Sequence, residues 1–503
     1  MRRWPALVGV IALGILLAPD TVAAAHPQAR PSLKPVGSTV AAPLAAGPAI
    51  GAAVVSQTIV LALPAMSNGA YGGYVTATYL QNTGRAAANV AVKYFDQNGS
   101  SVGSGDSVTI AALGTAIIRQ DNGNSFATGG AGSALVYSDQ SLAGFVNEFA
   151  PGGATDATSY SAIPYATGGL PTLYAPAIAS TAYGGYTTGI GLINLGVMPT
   201  DITINYRNST GGLVKTQILS NVVAGAYRGV YSGNSGSATD ANLPAGFAGT
   251  ATITPSGGGG AALAAIVNET GPGNQFSSYD AVSTSGTGGT LFAPVALRNA
   301  SGGYNTGMGI QNVYNAPGTV TITYYDASGS PTPRTFTISP FGYLGLYQGT
   351  DIPADGSYTA VISTTDVSLA AIVNEVAASS TSQQQSTSYN TFAAGAAIVY
   401  LPLVESTGPD NWSTGEGIMN TGSAPTTVTV RYYDATTGAA VGTPQTFNNL
   451  PVDAFWGVYQ PAGGLPSGTR ATALITNSSG GQVSVVTNEA SSSTFMSYDG
   501  VGG

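Results

Sequence analysis

The sequence predicts an all-β chain: four tandem antiparallel β-sandwich domains of about 110 residues, behind a signal peptide and a disordered tether. Three observations predict it. One unit recurs four times in register, its best-defined segments alternate apolar and polar residues with period two, and no segment after the N-terminal run sustains a 3.6-residue apolar period with caps.

The repeat is anchored on Pro64, Pro176, Pro294 and Pro402. Ten residues after each comes an aromatic (Tyr74, Tyr186, Tyr304, Trp412), and two further on a threonine (Thr76, Thr188, Thr306, Thr414). An asparagine follows at Asn82, Asn194, Asn312 and Asn420, then a tyrosine at Tyr94, Tyr206, Tyr324 and Tyr432, without a gap in any copy. The anchors are 112, 118 and 108 residues apart, so the variation falls in the second half of each unit, as for surface loops between fixed strands. That half carries Asn-Glu (Asn147-Glu148, Asn268-Glu269, Asn374-Glu375, Asn488-Glu489) and then Ser-Tyr (Ser159-Tyr160, Ser278-Tyr279, Ser388-Tyr389, Ser497-Tyr498). The predicted organisation is signal peptide 1–25, an Ala/Pro/Gly-rich tether 26–55, and sandwiches 56–165, 166–284, 285–392 and 393–503.

Arg2 and Arg3, the apolar run Ala6 to Ala18 and the small residues Ala23-Ala24-Ala25 have the layout of a secretory signal. The aromatic–Thr–aliphatic–Asn segment reads as a strand with glycine on its other face (Gly189 and Gly191, Gly415 and Gly417), which marks close approach of another backbone. The next strand runs Val-Thr-Ile-Thr-Tyr-Tyr from Val320 to Tyr325. Its alternating β-branched residues put Tyr324, Tyr94, Tyr206 and Tyr432 in the core with a hydroxyl at its edge. Asp326 to Gly329 and Asp434 to Gly438 then read as tight turns. Later short strands, including Ala248 to Thr254, Tyr358 to Ser363 and the run into each Asn-Glu, bring the count to roughly seven per unit.

On Val-Thr-Ile-Thr-Tyr-Tyr-Asp-Ala-Ser-Gly, Val-Thr-Val-Arg-Tyr-Tyr-Asp-Ala-Thr-Thr-Gly and Leu-Ala-Ala-Ile-Val-Asn-Glu, the units resemble bacterial extracellular immunoglobulin-like or fibronectin-type repeats over about residues 56 to 503. The resemblance implies a spacer, adhesive or envelope role and names no ligand. The first copy lacks the aromatics found at Tyr227, Tyr231, Tyr343, Tyr347, Trp456 and Tyr459, and the second has Asn208 at the turn aspartate.

Charged residues are 7% of the chain and its net charge is −9, with no Lys/Arg cluster to displace counterions from a nucleic acid. Such a weakly charged surface favours self-association or contact with cell-envelope components. The chain has no cysteine and a single histidine, His26 in the tether, so thiolate metal sites and a Ser-His-Asp hydrolase lack their groups. Gly99-Ser100-Ser101-Val102-Gly103 matches a nucleophile elbow as a string but sits in a hairpin turn. Each copy offers one recurrent glutamate where a glycosidase needs two acids, so no catalytic residue or cofactor is assigned. The expected role of Asn-Glu is structural, with the repeated Thr and Asn of the earlier strand as partners; its rival is an oxygen-ligand calcium site at Glu148, Glu269, Glu375 and Glu489, helped by Asp156 or Asp280. Phe95, Tyr325, Tyr433, Trp412 and Trp456 are the candidate glycan contacts, since exposed rings over a Gly-rich surface stack on sugars, or else fill a groove between domains. The expected function is a secreted, cell-surface-associated, non-enzymatic structural or adhesive protein of a bacterial envelope or matrix, with multivalent polysaccharide binding as the alternative and no membrane-spanning segment in the mature chain.

Overall fold

The computed structural model describes residues 57–503 apart from 151–155, 166–171, 257–261, 273–274, 378–384, 409–410, 479 and 492–493; the signal peptide and the tether lie outside the described residues. The described chain is four antiparallel β-sandwiches. The second repeat gives the pattern: β1 (Leu173–Ser180), β2 (Thr187–Asn194), β3 (Thr200–Asn208), β4 (Leu213–Val222), β5 (Tyr227–Tyr231), β6 (Phe247–Pro255), β7 (Leu263–Gly271), β8 (Gln275–Asp280) and β9 (Val282–Ser283). One sheet is ordered β4-β3-β6-β1-β9 and the other β5-β2-β7-β8. The third and fourth repeats keep both orders, the third without a β9 strand. In the first, Thr58–Ala70 also pairs with Tyr74–Asn82, which joins its strands into one nine-stranded sheet. The strand order is not that of an immunoglobulin domain, where the first strand shares a sheet with the second. Here the first strand lies beside the sixth, in the sheet of the third and fourth.

Each repeated residue has a local task. The anchor prolines sit where the first strand shifts register, between Ala175 and Ile178 in the second repeat and at the same place in the others. Proline donates no ladder bond, so the strand bulges there. The Ser-Tyr tyrosine seals that bulge from across the sandwich: Tyr279 donates to Ala177 O at 2.6 Å, and Tyr160, Tyr389 and Tyr498 to Ala65, Val295 and Leu403. Past the bulge the strand is held by the repeated threonine, as in Leu297 N–H to Thr306 Oγ1 at 2.9 Å. The repeated asparagine clamps two loops. Asn420 Nδ2 donates to Ala424 O and Leu450 O, and its Oδ1 accepts from Gly422 N–H. Tyr94, Tyr206, Tyr324 and Tyr432 are buried core residues whose hydroxyls meet Asp106, Gln217, Gln348 and Gln460. In the turns, Asp326 Oδ1 accepts the Ser328 and Ser330 amides, and Gly329 takes a φ of 80°. Asn208 does the same work in the second repeat, accepting from Thr210 and Gly212.

Residues 57–503 form one compact unit, and the repeats do not each keep a private core. Ile266 of the second repeat is buried in the core of the first, Ile372 of the third in that of the second, and Val486 of the fourth in that of the third. The cycle closes: Ala77, Tyr79 and Phe145 of the first repeat lie in the core of the fourth. There Tyr79 stacks on Phe145 with centroids 4.6 Å apart, and Phe145 on Tyr498 at 4.0 Å. The glycine two residues after Gly189 makes the approach possible. A Cβ on Gly191 would stand 2.9 Å from Ala65 Cβ, and one on Gly417 would collide with Val295. Backbone bonds repeat the pattern around the ring: Tyr227 N–H to Asp96 O, Tyr343 N–H to Ser209 O and Thr115 N–H to Ala435 O.

Candidate functional site

The two signatures of each second half meet where repeats join. β8 and its counterparts Ala157–Ser161, Ser386–Asn390 and Phe495–Asp499 pack side by side around one axis, each against the next and the last against the first. The serine of Ser-Tyr donates to the asparagine of Asn-Glu within its own repeat: Ser159 to Asn147 at 2.6 Å, Ser278 to Asn268 at 2.6 Å, Ser388 to Asn374 at 2.8 Å and Ser497 to Asn488 at 2.7 Å. The asparagine then donates through Nδ2 to the glutamate of the preceding repeat: Asn268 to Glu148 at 3.1 Å, Asn374 to Glu269 at 2.9 Å, and Asn488 to Glu375 at 3.0 Å. Asn147 completes the circle on Glu489 at 3.3 Å, across 342 residues of chain.

These carboxyls are all buried, between 0% and 6% exposed. Burial pushes Glu148 and Glu269 up to about 7 and Glu375 and Glu489 up to about 8, and the asparagine amides only partly offset it. Glu489 also faces the charges of Glu405, which raises it further, and of Arg470, which lowers it. On the axis, Ser159–Ser161, Ser278–Asp280, Ser388–Asn390 and Ser497–Asp499 line a narrow cleft. Asp499 is pushed up to about 7 by burial, and Asp280 upward by burial and by the charge of Asp499.

The partners expected for Asn-Glu are therefore different from those found. The earlier Thr and Asn serve the bulge and the loops, while Asn-Glu is spent between repeats. The four glutamates proposed for calcium stand at four separate boundaries, each facing an amide N–H donor. Asp156 accepts from Tyr74 instead, and Asp280 lies on the axis. Among the described residues no group of three or more His, Cys, Asp or Glu is placed to hold a metal.

The candidate aromatics disperse. Phe95 packs against the cluster that joins the first and second repeats, with its ring 3.2 Å from where Gly225 would carry a Cβ. Tyr325 bonds Asp453 of the fourth repeat. Trp456 lies against Phe447, centroids 5.6 Å apart, on the core of its own repeat. Trp412 and Tyr433 are half-buried. The exposed rings are others: Tyr71, Tyr183, Tyr231, Tyr314 and Tyr459. Three of these occupy loop tips, for which period-two reading gives no orientation.

Among the described residues, no helix is long and apolar enough to cross a membrane. No protein-family model matches the chain, and no curated protein is similar to it. Among solved structures it is similar to the crystal structure of a tetra-tandem repeat in the extending region of a large adhesion protein, at 14% identity over 85% of this chain and 95% of that one, with a TM-score of 0.11. It is also similar to the BSP domain of a biofilm-associated protein, at 10% identity over 85% of this chain and 90% of that one, with a TM-score of 0.14.

Proposed function

We propose that the chain is a non-enzymatic structural or adhesive protein of a bacterial envelope or extracellular matrix, exported and used as one rigid four-repeat ring. The observation that carries this reading is the closure of the Asn–Glu circle by Asn147 and Glu489. It commits the recurrent carboxyls to joining repeats, where a catalytic pair would need two acids open to one substrate bond. Shared cores suit a load-bearing block better than a string of mobile beads, because a hinge would have to expose Ile266, Ile372, Val486 and Phe145. The weakly charged outer surface suits lateral contact with other copies or with envelope polymers.

The test is negative-stain microscopy of the purified secreted chain, with co-sedimentation on isolated cell envelopes. The expected result is ordered assemblies, or particles that pellet with the envelope. Dispersed single particles that stay in the supernatant overturn the reading.

A further inference from the structure

Tyr231, Tyr347 and Tyr459 hold one equivalent position in the second, third and fourth repeats. Each ends the outer edge strand and pairs across the sheet with a glycine: Gly189, Gly307 and Gly415. All three glycines are partly exposed. A Cβ placed on Gly189 would meet only Val230 O, at 3.8 Å, and one on Gly307 only Leu346 O, at 3.3 Å; on Gly415 it would meet Val458 O and the edge of the Tyr459 ring at 3.6 and 3.9 Å. Gly189 and Gly415 thus have room above them for a side chain, while a Cβ on Gly307 would press on the Leu346 carbonyl. Beyond each lies an asparagine of the inter-repeat circle, since Gly189 pairs with Asn268, Gly307 with Asn374 and Gly415 with Asn488. Each row thus reads aromatic ring, bare floor, amide.

Two of the rings lie against a glycine of their own turn: a Cβ on Gly233 would stand 2.8 Å from Tyr231 Cε1, and one on Gly349 would collide with Tyr347 Cε1. A second ring reaches over from the preceding repeat at two boundaries. Tyr71 Oη lies 2.7 Å from Tyr227 Oη, and Tyr183 Oη 3.4 Å from Tyr343 Oη, with Tyr71 and Tyr183 themselves well exposed. The first repeat lacks the slot. Its row reads Arg119, Ala77, Asn147, with Ala77 buried and Arg119 ion-paired to Asp121 at 2.8 Å.

We propose that these three glycine-floored slots bind the pyranose rings of a neutral polysaccharide, which gives the adhesive reading its ligand and rests on it in that respect alone. A sugar ring offers a C–H face to an aromatic face and hydroxyls to amide and phenol groups, and each slot presents these together. Tyrosine, glycine and asparagine bring no formal charge to the slot, and the net charge of −9 disfavours an acidic polymer. Three related slots spaced around a ring match a repeating polymer, whereas a protein partner needs a contiguous face of about 800 Å². Weak stacking at three sites adds through avidity.

The experiment is affinity electrophoresis of the secreted full chain through gels containing hydroxyethylcellulose, amylose, galactomannan or dextran, with alginate as the acidic counterpart. At least one neutral polymer should retard the protein. Substituting Tyr231→Ala, Tyr347→Ala and Tyr459→Ala together should weaken that retardation about tenfold or more. Substituting Gly189→Val and Gly415→Val keeps every ring, adds β-branched residues to strands, and should weaken it without lowering Tm. Arg119→Ala should change nothing. Retardation by none of the neutral polymers, by alginate alone, or undiminished in the valine variant overturns the proposal. Neither set of substitutions touches the inter-repeat circle, so a failure here leaves the envelope co-sedimentation result intact, and the reverse holds too.

Discussion

At the scale of single residues, the four buried glutamates set how stability depends on pH. Their carboxyls stay protonated in the fold up to about 7 or 8, against an ordinary value of 4.5. A folded value raised above the unfolded one means the folded state binds more protons between the two. Their contribution is therefore full below pH 4.5, falls as pH rises, and is gone above the folded value. Each carboxyl accounts for a change of roughly 3–5 kcal/mol across that window. Asp326 and Asp434 in the turns are shifted the other way, chiefly by hydrogen bonds from Ser328 and from the Thr437 backbone, so their contribution is lost only as pH falls below the ordinary aspartate range. Thermal melts should then give a higher Tm near pH 5 than at pH 8.5, and Glu375→Gln should flatten part of that slope because its amide cannot ionise. A Tm that rises steadily from pH 5 to 8.5 in the native chain contradicts this account.

At the scale of the element, neighbouring glycines of one strand carry opposite burdens. Gly191 lies under Ala65 of the first repeat, while Gly189 lies under open space. Gly191→Ala forces the two repeats apart and should cost about 1–3 kcal/mol, as overpacking does in a core. Gly189→Ala, two residues away in the same strand, should leave Tm unchanged or raise it slightly, since alanine loses less backbone freedom on folding. Urea melts of the two variants check the contrast, and equal losses would mean that the close approach at Gly191 is not what holds the sheet. The same logic explains why the first repeat carries Tyr79 where the others carry glycine. Its sheet meets the fourth repeat, and Tyr79 there fills space in a core in place of yielding it.

At the scale of the whole molecule, the ring should unfold as one body. Every repeat lends an apolar side chain to its predecessor, so losing one repeat strips its predecessor's core and exposes the side chain that its successor had buried. Calorimetry of the full chain should show a single cooperative transition whose calorimetric and van't Hoff enthalpies agree. Phe145→Ala, at the closing boundary, should lower it by about 3–5 kcal/mol while keeping it single. Four resolved transitions, or one that splits when only the closing boundary is weakened, would mean that the repeats fold independently.

The sequence by itself determined the repeat, its register and the all-β class. The core tyrosines, the turn aspartates and, at Gly191 and Gly417 but not at Gly189 and Gly415, the glycine-marked close approach were legible because each rests on period-two alternation or on the chemistry of one short segment. Tertiary structure alone decided who approaches those glycines, that Asn-Glu answers to the next repeat, and that Phe95 and Tyr325 are packed away while Tyr231 and Tyr459 face out. The reason is physical. Alternation says which side of a strand a residue takes, but the outer side of the sheet that carries Asn-Glu is covered in part by the preceding repeat and open elsewhere. Which neighbour covers it depends on ring closure, a contact between residues as far apart as Asn147 and Glu489 that no local pattern encodes.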